Sequence, residues 1–252
     1  MKKAEVKNKS LGKALSILDC FIDKRLLGIT EISELLELNK SNVHDIISTF
    51  VTMGYLEQDE QSGKYTLGTN SVRLGRAAML NNPFYRIASA HLRKLSDVVP
   101  ETCYLTAPSG FSVCYIDVVN PNTRSAFVPV ITNTRPDSIN STASGKSMLA
   151  YMPNDFVEAY FENGMPNLTE NTITDPEIMR KELEQIRLCG YAIDNMENTP
   201  GIRCVAVPLL SSNGDVLGAM SVSGPVARMS DEYIEKYSRI LIRHAAEIRT
   251  QL

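Results

Sequence analysis

Three short runs of apolar residues at helical spacing, then a glycine, then two strand-like runs across a tight turn occupy the first eighty residues, and few folds accommodate that succession. Leu11, Ala14, Leu15, Leu18, Phe21 and Ile22 recur at three- and four-residue steps, one stripe of an amphipathic helix. After Gly28, Thr30 is placed as an N-cap for a short second helix, with Glu31 and Glu34 at the positive end of its dipole and Ile32, Leu35 and Leu36 inward. Asn39 and Ser41 are cap candidates for a third helix that carries Val43, Ile46, Ile47 and Phe50 on one face. Gly54 stops it, Tyr55 and Leu56 open a strand, and DEQSG turns the chain into Lys64-Tyr65-Thr66-Leu67.

Three helices and a hairpin predict a winged helix-turn-helix over residues 1–68. The outer face of the third helix holds Ser41, Asp45, Ser48 and Thr52, with Asn42, His44 and Thr49 at its edges and Lys40 at its start. Small polar side chains there suit a helix that enters the major groove of double-stranded DNA, and Lys64 is placed to meet a phosphate. The same unit also serves as a packing module that binds protein, so an adaptor without DNA contact is the alternative. Charge limits the first reading: the chain carries a net charge of -3, and residues 1–80 hold 11 Lys and Arg against 10 Asp and Glu. Any DNA affinity must come from local placement of charge and from a second copy of the domain.

At 252 residues, with 43% hydrophobic and 22% charged content, the chain suits two globular domains. The longest apolar stretch of the second half, Cys204 to Leu210, contains Pro208 and is too short to cross a bilayer. The Lys-rich start (Lys2, Lys3, Lys7, Lys9, Lys13) is followed by Asp19, Asp23, Lys24 and Arg25, which predicts a basic arm instead of a signal peptide. Five cysteines, Cys20, Cys103, Cys114, Cys189 and Cys204, include no C-x-x-C pair, so a reducing cytoplasm is expected.

Val72, Leu74, Ala77 and Ala78 form a short helical pattern, ended by Asn81, Asn82 and Pro83, that predicts a linker helix over residues 69–82. Residues 83–252 mix helices and strands: Ile87, Ala88, His91, Leu92 and Leu95 at helical spacing, then the strand-like runs TCYLTA, FSVCYIDVV and SAFVPVI. Asp175-Pro176 caps a helix with Ile178, Leu183, Ile186 and Leu188 inward and Gly190 as its stop. GIRCVAVPLL and DVLGAMSVSGP flank SSNG, a hairpin signal, and a last helix begins at Ser230. The fold class is α+β.

In order and spacing, KALSILDCF, GITEIS, LNKSNVHDIISTFVTMGYLEQD and YTLGTNSVRLG resemble the IclR family of transcription regulators, as do TASGKSMLA, GYAIDNMEN and GIRCVAVPLL with LGAMSVSGP in the second domain. The resemblance implies a GAF-like effector-binding domain with a central antiparallel sheet, a homodimer or homotetramer, and a regulator, in the first instance a repressor. It also implies a ligand site at Ser125, Val128, Thr142, Ala143, Asp194, Cys204, Ser221 and Ser223. Hydroxyl donors, apolar walls and a single acid suit a small organic acid or sugar acid, a carboxylate that bears a hydroxyl. One departure stands out: after Val-His the family usually has arginine, and here Asp45 follows, repelled by phosphate yet able to accept from cytosine N4.

Other chemistries find weaker support. Gly145-Lys146-Ser147 matches the end of a P-loop pattern, but Asn140 stands where its first glycine belongs. An enzyme would need Cys204 as nucleophile beside His44, His91 or His244, or Ser144 with Lys146, where Ala143 occupies the serine position of S-x-x-K. No H-E-x-x-H or paired Cys/His spacing appears, so neither a metal nor a cofactor is indicated by pattern, although scattered Cys and His leave a metal open.

Overall fold

The computed structural model describes residues 6–121 and 137–252, which divide into two compact units, 6–82 and 83–121 with 137–252. The expected run SAFVPVI, with Ser125 and Val128, lies outside the described residues.

The first unit comprises α1 (Lys9–Asp23), α2 (Ile29–Leu36), α3 (Lys40–Thr52), an antiparallel hairpin of β1 (Leu56–Gln58) and β2 (Tyr65–Leu67), and α4 (Thr69–Asn81). Ile17, Phe21, Leu27, Ile32, Val43, Ile47 and Leu56 form its core. The inward arc of α1 differs from the expected stripe. Ile17 and Phe21 are buried, whereas Leu11, Leu15 and Ile22 are exposed. At 100° per residue these are two arcs roughly 110° apart, which a spacing argument merges into one. Gly28, not Thr30, caps α2, and its N–H donates to Glu31 Oε2 at 2.7 Å. Gly54 takes a left-handed φ of 72°, so that Tyr55 N–H reaches Phe50 O at 2.9 Å and the chain turns into the hairpin. No residue of α4 is buried.

In the second unit a sheet of strand order β5-β4-β3-β8-β7-β6 is antiparallel throughout. Its strands are β3 (Thr102–Ser109), β4 (Ser112–Val119), the short β5 (Asp137–Ser138), β6 (Ala192–Asn195), β7 (Ile202–Leu210) and β8 (Val216–Pro225). Alternation along the strands separates two faces. Cys103, Leu105, Val205, Val207, Met220 and Val222 pack against α5 (Pro83–Ser96) and α9 (Asp231–Arg249). Ala192 and Ala219 turn the other way, toward α6 (Ala143–Leu149), α7 (Asn154–Asn163) and α8 (Pro176–Cys189).

Helix α8 is capped by Asp175, which accepts from the N–H groups of Glu177 and Ile178, and it stops at Gly190 with φ 82°. Met179, Leu183 and Ile186 face the core. The expected Ile178 and Leu188 are exposed, because each lies about 80° or more around the helix from that arc. The segment expected as a loop before Met148 is itself helix from Ala143 onward. No helix among the described residues is long and apolar enough to cross a membrane.

Candidate functional site

Two surfaces carry the chemistry, one in each unit. On α3, Lys40, Ser41, His44, Asp45 and Ser48 are exposed and Asn42 is half-buried, while Val43 and Ile47 hold the helix to its core. The Thr49 and Thr52 hydroxyls donate to the carbonyls of Asp45 and Ser48 at 2.9 and 2.8 Å. They are thereby turned back onto the helix. His44 Nδ1 lies 3.6 Å from Asp45 Oδ1, the one cationic partner within reach of that carboxylate among the described ion pairs when the imidazole is protonated.

Lys64 is paired: its Nζ lies 2.9 Å from Glu31 Oε2, across the hairpin base at the start of α2. The Gly28 N–H and the Lys64 ammonium hold the Glu31 carboxyl below its usual range. A phosphate that meets Lys64 must share it with Glu31.

The second surface is the α6 face of the sheet. Registered partners share a face, so Thr102, Ser223, Cys204 and Asp194 form one row across β3, β8, β7 and β6. Tyr104, Ser221, Ala206 and Ala192 form the next. Ser221 and Ser223 are buried, and the Cys204 thiol donates to Ser223 Oγ at 2.9 Å. Thr142 caps α6 by accepting from Gly145 N–H at 3.0 Å while its hydroxyl donates to Ser138 O at 3.1 Å. Gly145 admits no side chain, since a Cβ there would lie 2.3 Å from Ile139 O. Thr142, Ala143, Asp194, Cys204, Ser221 and Ser223 are thus gathered on one side of the sheet, six positions drawn from four segments of the chain.

Beneath them is a charged cluster that the sequence reading missed. Lys146 is 1% exposed, and its Nζ lies 2.6 Å from Glu197 Oε1 and 3.1 Å from Glu182 Oε1. The Glu197 N–H donates in turn to Asp194 Oδ1 at 2.7 Å. Asp194 is therefore not the single acid of the site. A lysine inside the otherwise apolar and small run Ala143 to Ala150 was the signal available, since a buried ammonium demands a carboxylate. Glu197 Oε2 is buried with no hydrogen-bond partner among the described residues.

Burial pushes the Asp194 carboxyl up to about 7, against the N–H groups of Glu197 and Asn198 that stabilise its charged form. Burial also raises Glu197, against the pull of Lys146. Between about pH 4 and pH 7 folded Asp194 keeps a proton that the unfolded chain has lost, so this group makes stability fall as pH rises through that window. Asp194→Asn keeps an acceptor for both N–H groups and removes the titration. Denaturant unfolding at pH 5 and pH 8 should show the variant gaining on the wild type by about 2.5 kcal/mol across the interval. Equal pH slopes in the two proteins would exclude it.

The nucleophile reading meets an obstacle in the fold. His91 and His244 lie on the α5–α9 side of the sheet, opposite Cys204, and His44 belongs to the other unit.

Comparison with known proteins matches both parts of the chain. Residues 10–60 match the IclR helix-turn-helix domain and residues 77–250 the bacterial transcriptional regulator IclR C-terminal family. The chain is 34% identical to the HTH-type transcriptional regulator KdgR of Escherichia coli (strain K12), over 96% of this chain and 92% of that one. It is also 34% identical to the HTH-type transcriptional regulator BhcR of Paracoccus denitrificans (strain Pd 1222), over 95% and 86%. The crystal structure of an IclR transcriptional regulator from Alicyclobacillus acidocaldarius superposes with a TM-score of 0.91 at 26% identity, covering 98% of this chain and 99% of that one. A winged helix-turn-helix followed by a six-stranded sheet domain, matched along both parts by these families and relatives, places this chain in the IclR family of transcriptional regulators.

Proposed function

We propose that the chain is a DNA-binding repressor whose hold on a palindromic operator is set by a small hydroxylated organic acid bound on the α6 face of the sheet. The observation that carries this reading is the row of buried Thr102, Ser223 and Asp194 with half-buried Cys204, and Ser221 beside it, in a domain whose opposite sheet face is apolar. Burying hydroxyls and acids costs free energy that internal hydrogen bonds offset only in part, and the buried Glu197 Oε2 has no partner among the described residues. Serine hydroxyls and the Thr142 segment offer donors to a carboxylate, and the unpartnered Glu197 Oε2 accepts from a ligand hydroxyl. The six gathered positions, with Ser125 and Val128, are the effector site in this reading. The cytoplasm is its place of work.

On the DNA side, Lys40, Ser41, Asn42, His44, Asp45 and Ser48 read the major groove, Lys64 meets a phosphate, and two chains pair through α1 and α4 to present two copies of α3. Effector binding must favour one arrangement of the domains energetically for DNA affinity to respond.

A thermal-shift panel of 2-keto acids, hydroxy acids and aromatic acids should give a hit whose shift disappears in Ser221→Ala/Ser223→Ala. A hit of undiminished affinity in that variant would place the ligand elsewhere. Binding-site selection with wild type and Asp45→Arg tests the reading face. The two proteins should select different half-sites, with discrimination changed by about 1–3 kcal/mol at one base pair. Identical sites and affinities would take Asp45 off the bases, and no selected DNA at all would favour a protein-binding adaptor.

A further inference from the structure

His91 on α5 and His244 on α9 stand 153 positions apart in the chain, yet their Nδ1 atoms face each other at 3.0 Å with both rings almost wholly buried. Glu247, one turn beyond His244 on α9, brings Oε2 to 3.7 Å from His91 Nδ1. One ligand atom from each of the three side chains lies within 4.8 Å of the others. In a tetrahedral site with metal–nitrogen and metal–oxygen bonds of about 2.0–2.1 Å, ligand atoms are separated by about 3.3 Å, and the two observed separations bracket that value. Glu247 is half-exposed, so the site opens to solvent on that side, where Arg243 lies near the other carboxylate oxygen at 4.0 Å.

We propose that His91, His244 and Glu247 bind a first-row divalent transition-metal ion, zinc being the fitting one, which clips α5 to α9. Imidazole, imidazole and carboxylate with a fourth position left to water is a donor set for zinc or cobalt and a poor one for magnesium.

The surroundings support the assignment. Burial lowers the basicity of both histidines. Without an ion an Nδ1–H of one ring donates to Nδ1 of the other. His244 Nε2 is buried with no partner among the described residues, and an ion on the Nδ1 atoms leaves it so. Gln251 Nε2 lies 3.0 Å from His91 Nε2 and also donates to Glu247 O at 3.1 Å. When the ion takes both Nδ1 lone pairs, the His91 proton resides on Nε2, and the Gln251 amide turns its oxygen to accept it. The ion therefore binds two neutral imidazoles and a carboxylate with no net release of protons. The site has no sequence signature because its ligands come from the first and last helices of the domain. It lies on the α5–α9 face, opposite the row proposed for the effector, and does not depend on that reading.

Full-length protein stripped with chelator should take up one equivalent of Zn²⁺ or Co²⁺ per chain in a calorimetric titration. The cobalt form should show visible ligand-field bands without a sulfur-to-cobalt charge-transfer band. Zn²⁺ at about a hundredfold over Kd should raise Tm by about 5–10 °C, and Mg²⁺ should not. Glu247→Gln, at a half-exposed position, should leave the metal-free Tm in place and weaken Zn²⁺ binding about tenfold or more, and His244→Gln should abolish binding. Absence of Zn²⁺ binding by the wild type overturns the proposal. So does wild-type affinity in Glu247→Gln, a sulfur-to-cobalt band, or loss of binding in Cys204→Ser with Glu247→Gln unaffected.

Discussion

Replacing Lys146 with alanine should destabilise the second domain by about 3–5 kcal/mol, because the change leaves a carboxylate buried without its partner. Lys146 is among the most completely enclosed side chains in the protein, and its ammonium joins Glu197 at 2.6 Å to the more exposed Glu182 at 3.1 Å. Without it, Glu197 must either stay charged in a medium that solvates it poorly or take up a proton, and burial already raises its affinity for one. The loss should therefore be smaller at pH 5 than at pH 8. Lys146→Met combined with Glu197→Gln removes both charges at similar volume and should recover most of the stability, since a buried pair contributes far less than its breakage costs. Urea unfolding of the two single variants and the double variant closes the cycle. A cost below about 1 kcal/mol for Lys146→Ala would mean that water reaches this cluster.

The second large effect is expected on DNA binding, from a helix that touches no base in the proposed complex. An isolated helix of about 12–15 residues is marginal in water, yet α4 spans 13 residues and buries none of them. Val72 is 67% exposed and Leu74 62%, and Leu80, Ala77 and Ala78 are exposed as well. On α1, Leu11, Leu15 and Ile22 form the outward arc described above. Exposed apolar side chains on two helices mark an interaction surface, and in the pairing proposed above a second copy of the chain covers them by two-fold symmetry. Val72→Glu/Leu74→Glu should accordingly convert dimer to monomer in sedimentation equilibrium. It should also weaken operator binding by about 10²–10⁴-fold, the avidity gained when two half-sites are held together. A variant that stays dimeric with unchanged operator affinity would show that the chains pair elsewhere. With one more lysine or arginine than acids in residues 1–80, the domain has little charge with which to compensate for a lost partner.

Much of the winged helix was legible because local chemistry decides it. Gly54 at the turn and the Asp59–Gly63 loop each act within a few residues, and the same holds for Asp175-Pro176 and Gly190 around α8, whereas Asn39 stands at the N-cap of α3 without a side-chain cap bond. Arc assignments were less secure. Leu11, Leu15, Ile178 and Leu188 share a helical period with true core residues, and only the position of neighbouring elements selects which arc turns inward. At the candidate effector site, Asp194, Cys204, Ser221 and Ser223 were named by resemblance, and strand register places them in adjoining rows of one face. The Lys146–Glu197 pair and the Thr102 and Tyr104 contributions were not foreseen, because they depend on β3 lying beside β8 and on α6 lying over the sheet.

By itself the sequence determined the helices and hairpin of the first unit, the stops at Gly54 and Gly190, the Asp175 cap and the α+β class, which rest on periodicity and on backbone preferences acting over a few residues, while the family followed from resemblance of whole segments. It also identified Asp45 on the exposed face of α3, since a helix with a known inward arc fixes its outward one. Tertiary structure alone decided which apolar arcs remain uncovered, that Lys64 is paired with Glu31, and that Lys146, Glu197 and Asp194 meet under α6. It alone brought His91 to His244. Charge pairing and ligand geometry act over 3–4 Å in space, and residues 33 to 153 positions apart reach that distance only when the sheet has closed between them or the hairpin has folded back.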